Sequence, residues 1–413
     1  MPRPVAIIGC GQTKHLSRRR DVSQPELIAE AAWKAMEDAN VTPDEVDAVV
    51  VGNMQGFGGV AQPDLWIGDW IGAPGKPVMR VTTGGTTGGT VAQAGYYHVA
   101  SGLHNVVLAV AWEKHSDSKE SGATTGLGHV GFGAQVNLFR CGMGLKGFIA
   151  TSGVGMAAGV AVYQAMYYMH RSGCGIEHFD MVAAKSRRNA AKNKYAHLQW
   201  PNCTPEDIAK TEMVAYPFRY GHVCPASDGA AALVFADGNT ARKRVRTPAW
   251  VKGLASITDE ENQLISESGG GVGIIDSSEQ MGARVAAQKA YKMAGIRDPQ
   301  KEIDVAELYQ PFPNQELLFA EKLGLFDEGK AWLALEKGET DIDGRLPCDP
   351  SGGVMSTNAI GAAAMLRILE CALQVMGKAE EHQVPKKVNI AVAHGWGGST
   401  NYNTVTVLGS SPD

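Results

Sequence analysis

An internal duplication is the feature that most constrains how this chain can fold. The segment AAWKAMEDANVTPDEVDAVVVG, which begins at Ala31, aligns with AAQKAYKMAGIRDPQKEIDVAELYQ, which begins at Ala286. Alanine and lysine recur at matched positions of the helical part, and a Pro-containing turn then leads into an apolar run. The duplication predicts two related halves, each built from alternating strands and helices.

A second pair of matching segments strengthens this prediction. The glycine-rich runs TTGGTTGGTVAQA (82–94) and SGGVMSTNAIGAAA (351–364) each lead into a small-residue helical pattern and then into an apolar run, from Leu108 and Ile390 respectively. The chain holds 50 glycines in 413 residues, so close backbone approaches are expected in many places. Helices rich in Ala and Gly can be packed on both sides, which predicts a buried helical layer between sheets in a layered α/β architecture.

The boundary between the halves is predicted in a polar, basic stretch, DGNTARKRVRT (237–247), which separates two apolar strand patterns. This divides the chain into an N-terminal half, residues 1–245, and a C-terminal half, residues 246–413. Residues 116–153 form a glycine-rich excursion with little periodicity. A long excursion of this kind favours a lid or a dimer-contact loop over a plain linker.

Composition and charge exclude several classes of function. With 44% hydrophobic and 20% charged residues the chain is typical of a soluble globular protein. A net charge of -5 argues against nucleic acid or anionic membrane as a partner. The N-terminus has no signal-peptide pattern, and no run is apolar for the roughly 18 residues of a membrane span. Seven cysteines without a CxxC pair predict neither a disulfide framework nor a metal site, so we expect a cytoplasmic protein.

Five segments, in order and at matching spacing, resemble the thiolase superfamily, and within it the sterol-carrier and archaeal types. The resemblance covers nearly the whole chain and implies the thiolase fold, an α/β fold with two pseudo-symmetric halves in five αβαβα layers. The segments that carry it are the glycine-rich run at 82–94, the helical and basic region at 159–199, CPASDGAAALVFAD (224–237), ELYQPFPNQELLFAEKLGLFDEGKAW (307–332) and LPCDPSGGVMSTNAIGAAA (346–364).

The resemblance also exposes a departure at the position of the nucleophile. Thiolases of this type carry a cysteine at the start of a buried helix, where the helix N-terminus stabilises the thiolate. Here the matching loop reads VTTGGTTG, which puts Gly85 at that position. The chain therefore has no sulfur where the covalent step of a thiolase would take place.

The other family positions depart as well. Tyr309 stands where relatives carry Asn or His, Asn358 stands at the His of their GHP loop, and His394 begins HGWGG where they carry Cys-x-Gly. From the residues alone, Tyr309 is predicted to end a strand and is more simply a core tyrosine. His394 is predicted to follow a strand and is more simply a structural histidine. The resemblance favours acid/base roles for both, because thiolase-like aldolases that lack the cysteine carry a tyrosine at the position of Tyr309. Asn358 is expected to hold the thioester oxygen or a water.

Further positions have a structural and a functional interpretation. The backbone at Gly84, Gly85 and Thr86 is expected to bind the thioester oxygen at the helix start, although glycine there also suits close packing. Thr86 and Thr87 either line the pocket or serve as turn or cap residues. Cys224 is interpreted as a structural cysteine. The basic residues Lys185, Arg187 and Arg188 either meet the phosphates of coenzyme A or form a solvated face, and the second interpretation is favoured.

These residue types satisfy the requirements of a retro-aldol reaction. Cleavage of a 3-hydroxyacyl-CoA needs a base near the hydroxyl group and a stabilised enolate, and it needs no covalent intermediate. The hypothesis is a CoA-ester aldolase in which coenzyme A enters only as part of the substrate. Two alternatives stay open: a divergent thiolase that cleaves a 3-ketoacyl-CoA with CoA, and a non-catalytic subunit that binds acyl-CoA.

The resemblance finally implies partners. Relatives without the cysteine pair with a small protein that contains a zinc ribbon and an OB-fold, of the DUF35 type. We therefore expect a homodimer of this chain in a hetero-oligomer, with zinc held only by the partner. The identity of the acyl group stays open.

Overall fold

The computed structural model describes residues 3–54, 63–120, 155–258, 280–397 and 402–412. Nine of the strands in these ranges form one continuous, mixed sheet in the order β3-β2-β4-β7-β1-β8-β11-β10-β9, and β5 pairs only with β6. The strands are β1 (Val5–Gln12), β2 (Ala48–Gly52), β3 (Val78–Arg80), β4 (Val106–Glu113), β5 (Met213–Ala215), β6 (Phe218–Arg219), β7 (Gly229–Asp237), β8 (Ala249–Thr258), β9 (Val305–Glu307), β10 (Ile390–Gly397) and β11 (Tyr402–Gly409).

The helices lie on both sides of this sheet and between its two halves. They are α1 (Gln24–Asp38), α2 (Asp64–Ile67), α3 (Thr87–Ala100), α4 (His115–Glu120), α5 (Gly155–Ser172), α6 (Ile176–Ala191), α7 (Pro205–Ala209), α8 (Gly238–Arg244), α9 (Met281–Ala294), α10 (Pro299–Glu302), α11 (Pro313–Lys322), α12 (Ala331–Glu336), α13 (Gly353–Ser356) and α14 (Ile360–Met376). None of the helices in the described ranges is long and apolar enough to cross a bilayer.

The duplicated segments form equivalent elements. α1 packs on β1 and β7, and α9 packs on β8 and β11, so each half has an outer helix against its own strands. A capping box at Ser23 starts α1, because the Ser23 hydroxyl accepts from the Glu26 N–H while the Glu26 carboxylate accepts from the Ser23 N–H. Small residues then face the sheet: Ala31, Ala32 and Ala35 are fully buried.

The two small-residue helices form the layer between the halves, as the glycine-rich runs predict. α3 and α14 pack against each other, and α14 contacts β4 and β7 of the first half as well as β10 and β9 of the second. The contact requires glycine: a Cβ on Gly88 would lie 2.6 Å from the Met365 backbone nitrogen. The layers therefore follow the order outer helix, strands, central helices, strands, outer helices.

The structure shows two further features near the predicted boundary. The two halves do not have separate sheets, because β1 pairs with β8 through Ala6–Trp250 and Ile7–Ala249. The stretch expected to be a polar boundary contains the helix α8, which begins where the Asp237 carboxylate accepts from the N–H groups of Asn239 and Thr240. The division at residue 245 stays a prediction, and most of the excursion, residues 121–154, lies outside the described residues.

Candidate active site

The loop that starts α3 brings its backbone against the end of β10. Gly84 has a positive φ of 57°, which lets the chain turn sharply into the helix. A Cβ on Gly85 would lie 2.9 Å from the Trp396 carbonyl oxygen and 3.0 Å from Cα of Gly397. These are contacts that a side chain does not tolerate without movement of the backbone, so position 85 has no room for a cysteine in this conformation.

The Tyr309 hydroxyl group lies beside this closed position. It is 3.5 Å from the point where the Gly85 Cβ would stand, and the Tyr309 ring lies 6.3 Å from the Trp396 ring. Tyr309 was expected to end a strand, but β9 ends at Glu307, so the tyrosine follows two residues later in the loop that leads to α11. Burial, reinforced by the nearby Cys224, raises the pKa of the phenol, which is therefore protonated at neutral pH.

Asn358 and Cys224 form a second part of the same site. The Asn358 backbone is fixed by Ser227 at both ends, because its N–H donates to the Ser227 hydroxyl at 3.2 Å and its carbonyl accepts from the Ser227 N–H at 3.0 Å. Its Nδ2 donates to the Cys224 sulfur at 3.3 Å. Its buried Oδ1 has no hydrogen-bond partner among the described residues. The Asn358 side chain is thus held by its Nδ2, while its Oδ1 can still accept a hydrogen bond from a ligand.

Thr86 takes part in the site through its backbone rather than its hydroxyl. The residue is fully buried, and its hydroxyl donates to the Thr83 carbonyl at 2.7 Å. Thr87 behaves similarly, since its hydroxyl donates to the Gly84 carbonyl at 2.6 Å. The threonine hydroxyls therefore stabilise the turn, as their structural interpretation predicts.

His394 does not join this group. It was expected after its strand, but it lies within β10, paired in register with Val405. Its Nε2 hydrogen-bonds to Asn403 Oδ1 at 3.1 Å, and its ring centre lies 4.3 Å from that of Phe319 on α11, with the ring planes tilted by 52°. Side chains alternate along a strand, and Gly395 faces Ala364 of the central layer, so His394 faces the outer layer. Burial lowers its pKa to about 4, so it is a neutral histidine behind the sheet.

The sequence interpretation missed Glu113. This residue ends β4 and is fully buried, with one oxygen accepting the Met54 N–H at 3.0 Å. Its other oxygen, Oε1, accepts no hydrogen bond from the described residues. Burial raises its pKa well above the usual range of a glutamate, and its charge in turn raises the pKa of Tyr309. A charged residue at the end of the otherwise apolar run LAVAW was the signal that could have identified it.

The basic residues of α6 are not a solvated face, which corrects the favoured interpretation. Lys185 is 2% exposed and forms an ion pair with the buried Glu316. Arg187 is 6% exposed, and its guanidinium donates to main-chain carbonyls and a hydroxyl inside the protein. Only Arg188 is half-buried, with Nη1 donating to the Cys203 carbonyl at 2.8 Å.

The arrangement combines a protonated phenol, a buried carboxyl group, a fixed amide and the start of a helix. Such groups can move protons and stabilise an oxyanion. Among the residues that the structure describes there is no cluster of three or more His, Cys, Asp or Glu side chains arranged to hold a metal ion.

Comparison with known proteins assigns both halves of the chain. Residues 5–202 match the model of the thiolase N-terminal domain, and residues 275–410 match that of the thiolase C-terminal domain-like family. The acetyl-CoA acetyltransferase of Methanothermobacter thermautotrophicus is 31% identical over 404 residues, which cover 96% of this chain and 97% of that protein.

Two further comparisons point to relatives with different properties. Human sterol carrier protein 2 is 29% identical, over 96% of this chain and 70% of that protein. A solved structure described as an Ltp2-ChsH2(DUF35) aldolase superposes with a TM-score of 0.80 at 25% identity, covering 99% of this chain and 98% of the matched one. The relatives thus include both an acyltransferase and an aldolase.

Proposed function

Because the chain belongs to the thiolase family, with the thiolase fold in both halves, we propose that it is a CoA-ester aldolase that cleaves a 3-hydroxyacyl-CoA by a retro-aldol reaction. The observation that carries the proposal is at the start of α3. Position 85 is closed to any side chain by Trp396 and Gly397, and a tyrosine hydroxyl lies beside it. The site has no room for the cysteine nucleophile of a thiolase, and it has the Tyr309 hydroxyl group beside that position. This arrangement favours a reaction that proceeds by proton transfer.

In the proposed reaction a base removes the proton of the 3-hydroxyl group while the bond between C2 and C3 breaks. C3 leaves as the carbonyl carbon of an aldehyde or ketone, and the electron pair of the broken bond forms the enolate of the remaining acyl-CoA. A proton then adds to C2 and gives the shortened acyl-CoA. Atoms and charge balance without water, a redox partner or a second CoA.

The described residues divide these tasks. Tyr309, kept protonated by its raised pKa, is suited to deliver the proton to C2. Glu113 is our candidate for the proton of the hydroxyl group, because its carboxyl group is buried at the end of β4 and its Oε1 has no hydrogen-bond partner among the described residues. The N–H groups at Gly85 and Thr86 together with the Asn358 amide are proposed to bind the enolate oxygen. His394, behind the sheet, is proposed to have a structural role.

The decisive measurement is product analysis with two substrates. We expect a 3-hydroxyacyl-CoA alone to yield a carbonyl compound and a shorter acyl-CoA. The Tyr309→Phe variant, which removes only the hydroxyl group, is expected to lower kcat by about 100-fold or more. A Tyr402→Phe variant on β11 is the matched control and should keep full activity. If Tyr309→Phe cleaves the substrate as fast as wild type, Tyr309 is not the proton donor.

A thiolase-type acyl transfer is the second candidate. It is favoured by the 31% identity to an acetyl-CoA acetyltransferase and by the Cys224 thiol in the site. In that case a 3-ketoacyl-CoA would be cleaved only when free CoA is added, and a covalent acyl group would be found on Cys224. Mass spectrometry of the quenched enzyme distinguishes this outcome from the aldolase reaction, which leaves the protein unmodified.

We also propose that the chain forms a homodimer and binds a DUF35-type partner. The strand β3 stands at the edge of the sheet with Val78 and Met79 exposed, and Leu65 and Trp66 are exposed nearby in sequence. An unpaired apolar edge of this kind supports a homodimer. The match to a complex that contains a DUF35 protein supports a partner of that type, which would supply any zinc. Light scattering of the purified chain, with and without such a partner, tests both points.

A further inference from the structure

Arg187 is a buried cation whose hydrogen bonds to the described residues all run to neutral groups. It lies on α6 and is 6% exposed. Its four hydrogen bonds run to the Met355 carbonyl (2.5 Å) and the Ser356 hydroxyl (3.0 Å) from Nη1, and to the carbonyls of Gly221 (3.3 Å) and Val223 (3.4 Å) from Nη2.

Among the described residues, two other buried cations have a carboxylate partner, which Arg187 does not have. Lys185, two residues earlier, is paired with Glu316, and Arg367 on α14 is paired with Glu307. Within the described parts of the chain, Arg187 forms no ion pair with a carboxylate. A buried charge without a counter-ion is costly to maintain. Burial lowers its pKa only to about 10, so it stays positively charged at neutral pH.

The four acceptors belong to the two segments that build the second part of the site. Gly221 and Val223 lead directly to Cys224, and Met355 and Ser356 lead to Asn358. The guanidinium therefore ties together the two stretches of chain whose ends meet at the hydrogen bond between Asn358 Nδ2 and the Cys224 sulfur. The planar fork of an arginine suits such bridging, whereas a lysine cannot reach several fixed acceptors in one plane.

We propose that Arg187 is a positioning residue that fixes Cys224 and Asn358 relative to each other and supplies a positive charge to the wall of the site where a substrate anion forms. On the proposed function, which this part of the inference requires, that anion is the enolate of the acyl-CoA. The positioning part does not depend on which reaction the enzyme catalyses.

The pKa of the Cys224 thiol depends on the positive charge of Arg187. Burial raises its pKa to about 11, and the Asn358 hydrogen bond and Arg187 both oppose that rise. The other titratable groups that Arg187 affects are Cys203, His197 and His222. Both histidines have pKa values below the ordinary range, so they are neutral above pH 7 and do not complicate a thiol titration at alkaline pH.

The test compares wild type with Arg187→Met, Arg187→Lys and the control Arg188→Met, which removes the neighbouring arginine on the same helix. Alkylation of Cys224 by iodoacetamide is followed against pH by mass spectrometry of the peptide that contains it. Removing the charge should raise the thiol pKa by about one unit, so that Arg187→Met is alkylated about tenfold more slowly at pH 9. Arg187→Lys should keep a rate closer to wild type, and Arg188→Met should match wild type.

Turnover supplies the second readout. We expect Arg187→Met to lower kcat on a 3-hydroxyacyl-CoA by about 100-fold with a smaller change in KM, since the charge acts mainly on the anion formed in the transition state. An alkylation profile of folded Arg187→Met identical to that of wild type would overturn the inference. A shifted thiol pKa in an enzyme that does not cleave the 3-hydroxyacyl-CoA would instead contradict the proposed function and leave the positioning role supported. If Arg187→Met does not fold, Arg187→Gln gives the same comparison.

Discussion

At the scale of single residues, the site is defined by a close approach of two backbones. Gly85 and Gly397 meet because neither has a Cβ: a Cβ on Gly397 would lie 2.6 Å from the amide nitrogens of both Gly85 and Thr86. The Tyr309 hydroxyl then takes the place next to the helix start. One missing side chain therefore changes both the space and the chemistry of the site.

This contact predicts that Gly85→Cys destabilises the protein and does not create a thiolase. The added Cβ must displace the Trp396 carbonyl, which is main chain and cannot rotate away, so we expect a loss of about 1–3 kcal/mol in the free energy of unfolding. Urea unfolding measures it. Gly68→Ala is the control, because a Cβ there contacts only the Ala73 side chain at 4.0 Å. An equally stable Gly85→Cys that forms an acyl-enzyme would contradict the prediction.

A buried pair at the other end of α14 predicts how stability depends on pH. His382 Nε2 hydrogen-bonds to Glu370 Oε2 at 2.8 Å. Burial opposes protonation of His382, but Glu370 outweighs it and raises the His382 pKa above its usual 6.5. The histidine therefore contributes stability that is fully present below pH 6.5 and is lost as the pH rises through the raised pKa.

The corresponding variant is His382→Gln. The difference in unfolding free energy between wild type and this variant should be largest near pH 6 and should shrink at higher pH. Denaturant titrations at pH 6, 7, 8 and 9 measure it, with Lys387→Gln, an exposed substitution close in sequence, as the control. A difference that grows with pH would mean that His382 is neutral in the folded protein.

At the scale of elements, the sequence predicted helices and strands well where a pattern repeats. α1 and α9 were identified by the duplication, and α3 and α14 by their glycine-rich starts. Boundaries were less predictable. The apolar pattern around Tyr309 continues beyond the last residue pair of β9, so the predicted strand was too long. The glycines of β10 predicted a loop, but Gly395 and Gly397 lie in the strand, where the central layer leaves no space for a side chain.

The helix α8 allows a test at this scale, because one N-cap residue, Asp237, starts it inside the basic stretch that was predicted as the boundary between the halves. Asp237→Ala removes the acceptor for the N–H groups of Asn239 and Thr240, so it should cost about 1 kcal/mol of unfolding free energy. The low pKa of Asp237 means that its contribution is present at neutral pH and is lost only in acid. Lys243→Ala on the exposed side of the same helix should leave stability unchanged in the same urea titration.

At the scale of the whole molecule, the halves share one sheet and one helical layer. α14 belongs to the second half by sequence, yet it packs on β4 and β7 of the first. The layered architecture could be predicted because duplication and small-residue helices are local patterns. The site could be proposed only in part from the sequence. Tyr309, Gly85 and Asn358 were proposed through resemblance, and Glu113 had a local signal in the charged residue that ends an apolar run. The role of Arg187 depends on burial and on hydrogen-bond partners from distant segments.

The shared layer predicts that neither half is stable by itself. A fragment of residues 1–245 would expose the face of β4 and β7 that α14 covers, and a fragment of residues 246–413 would expose α14. Each expressed alone should bind a hydrophobic dye and be digested rapidly by protease, whereas the two together should regain the far-ultraviolet circular dichroism of the intact chain. A compact, protease-resistant 1–245 fragment would contradict this.

The contact between Gly85 and Gly397 also bears on redesign of the site. Because the Trp396 carbonyl and Gly397 lie against the loop, placing a thiol at residue 85 requires coordinated changes in two chain segments. A variant library that mutates residue 85 together with residues 396 and 397 therefore samples thiol-bearing sites that a library of single substitutions does not reach.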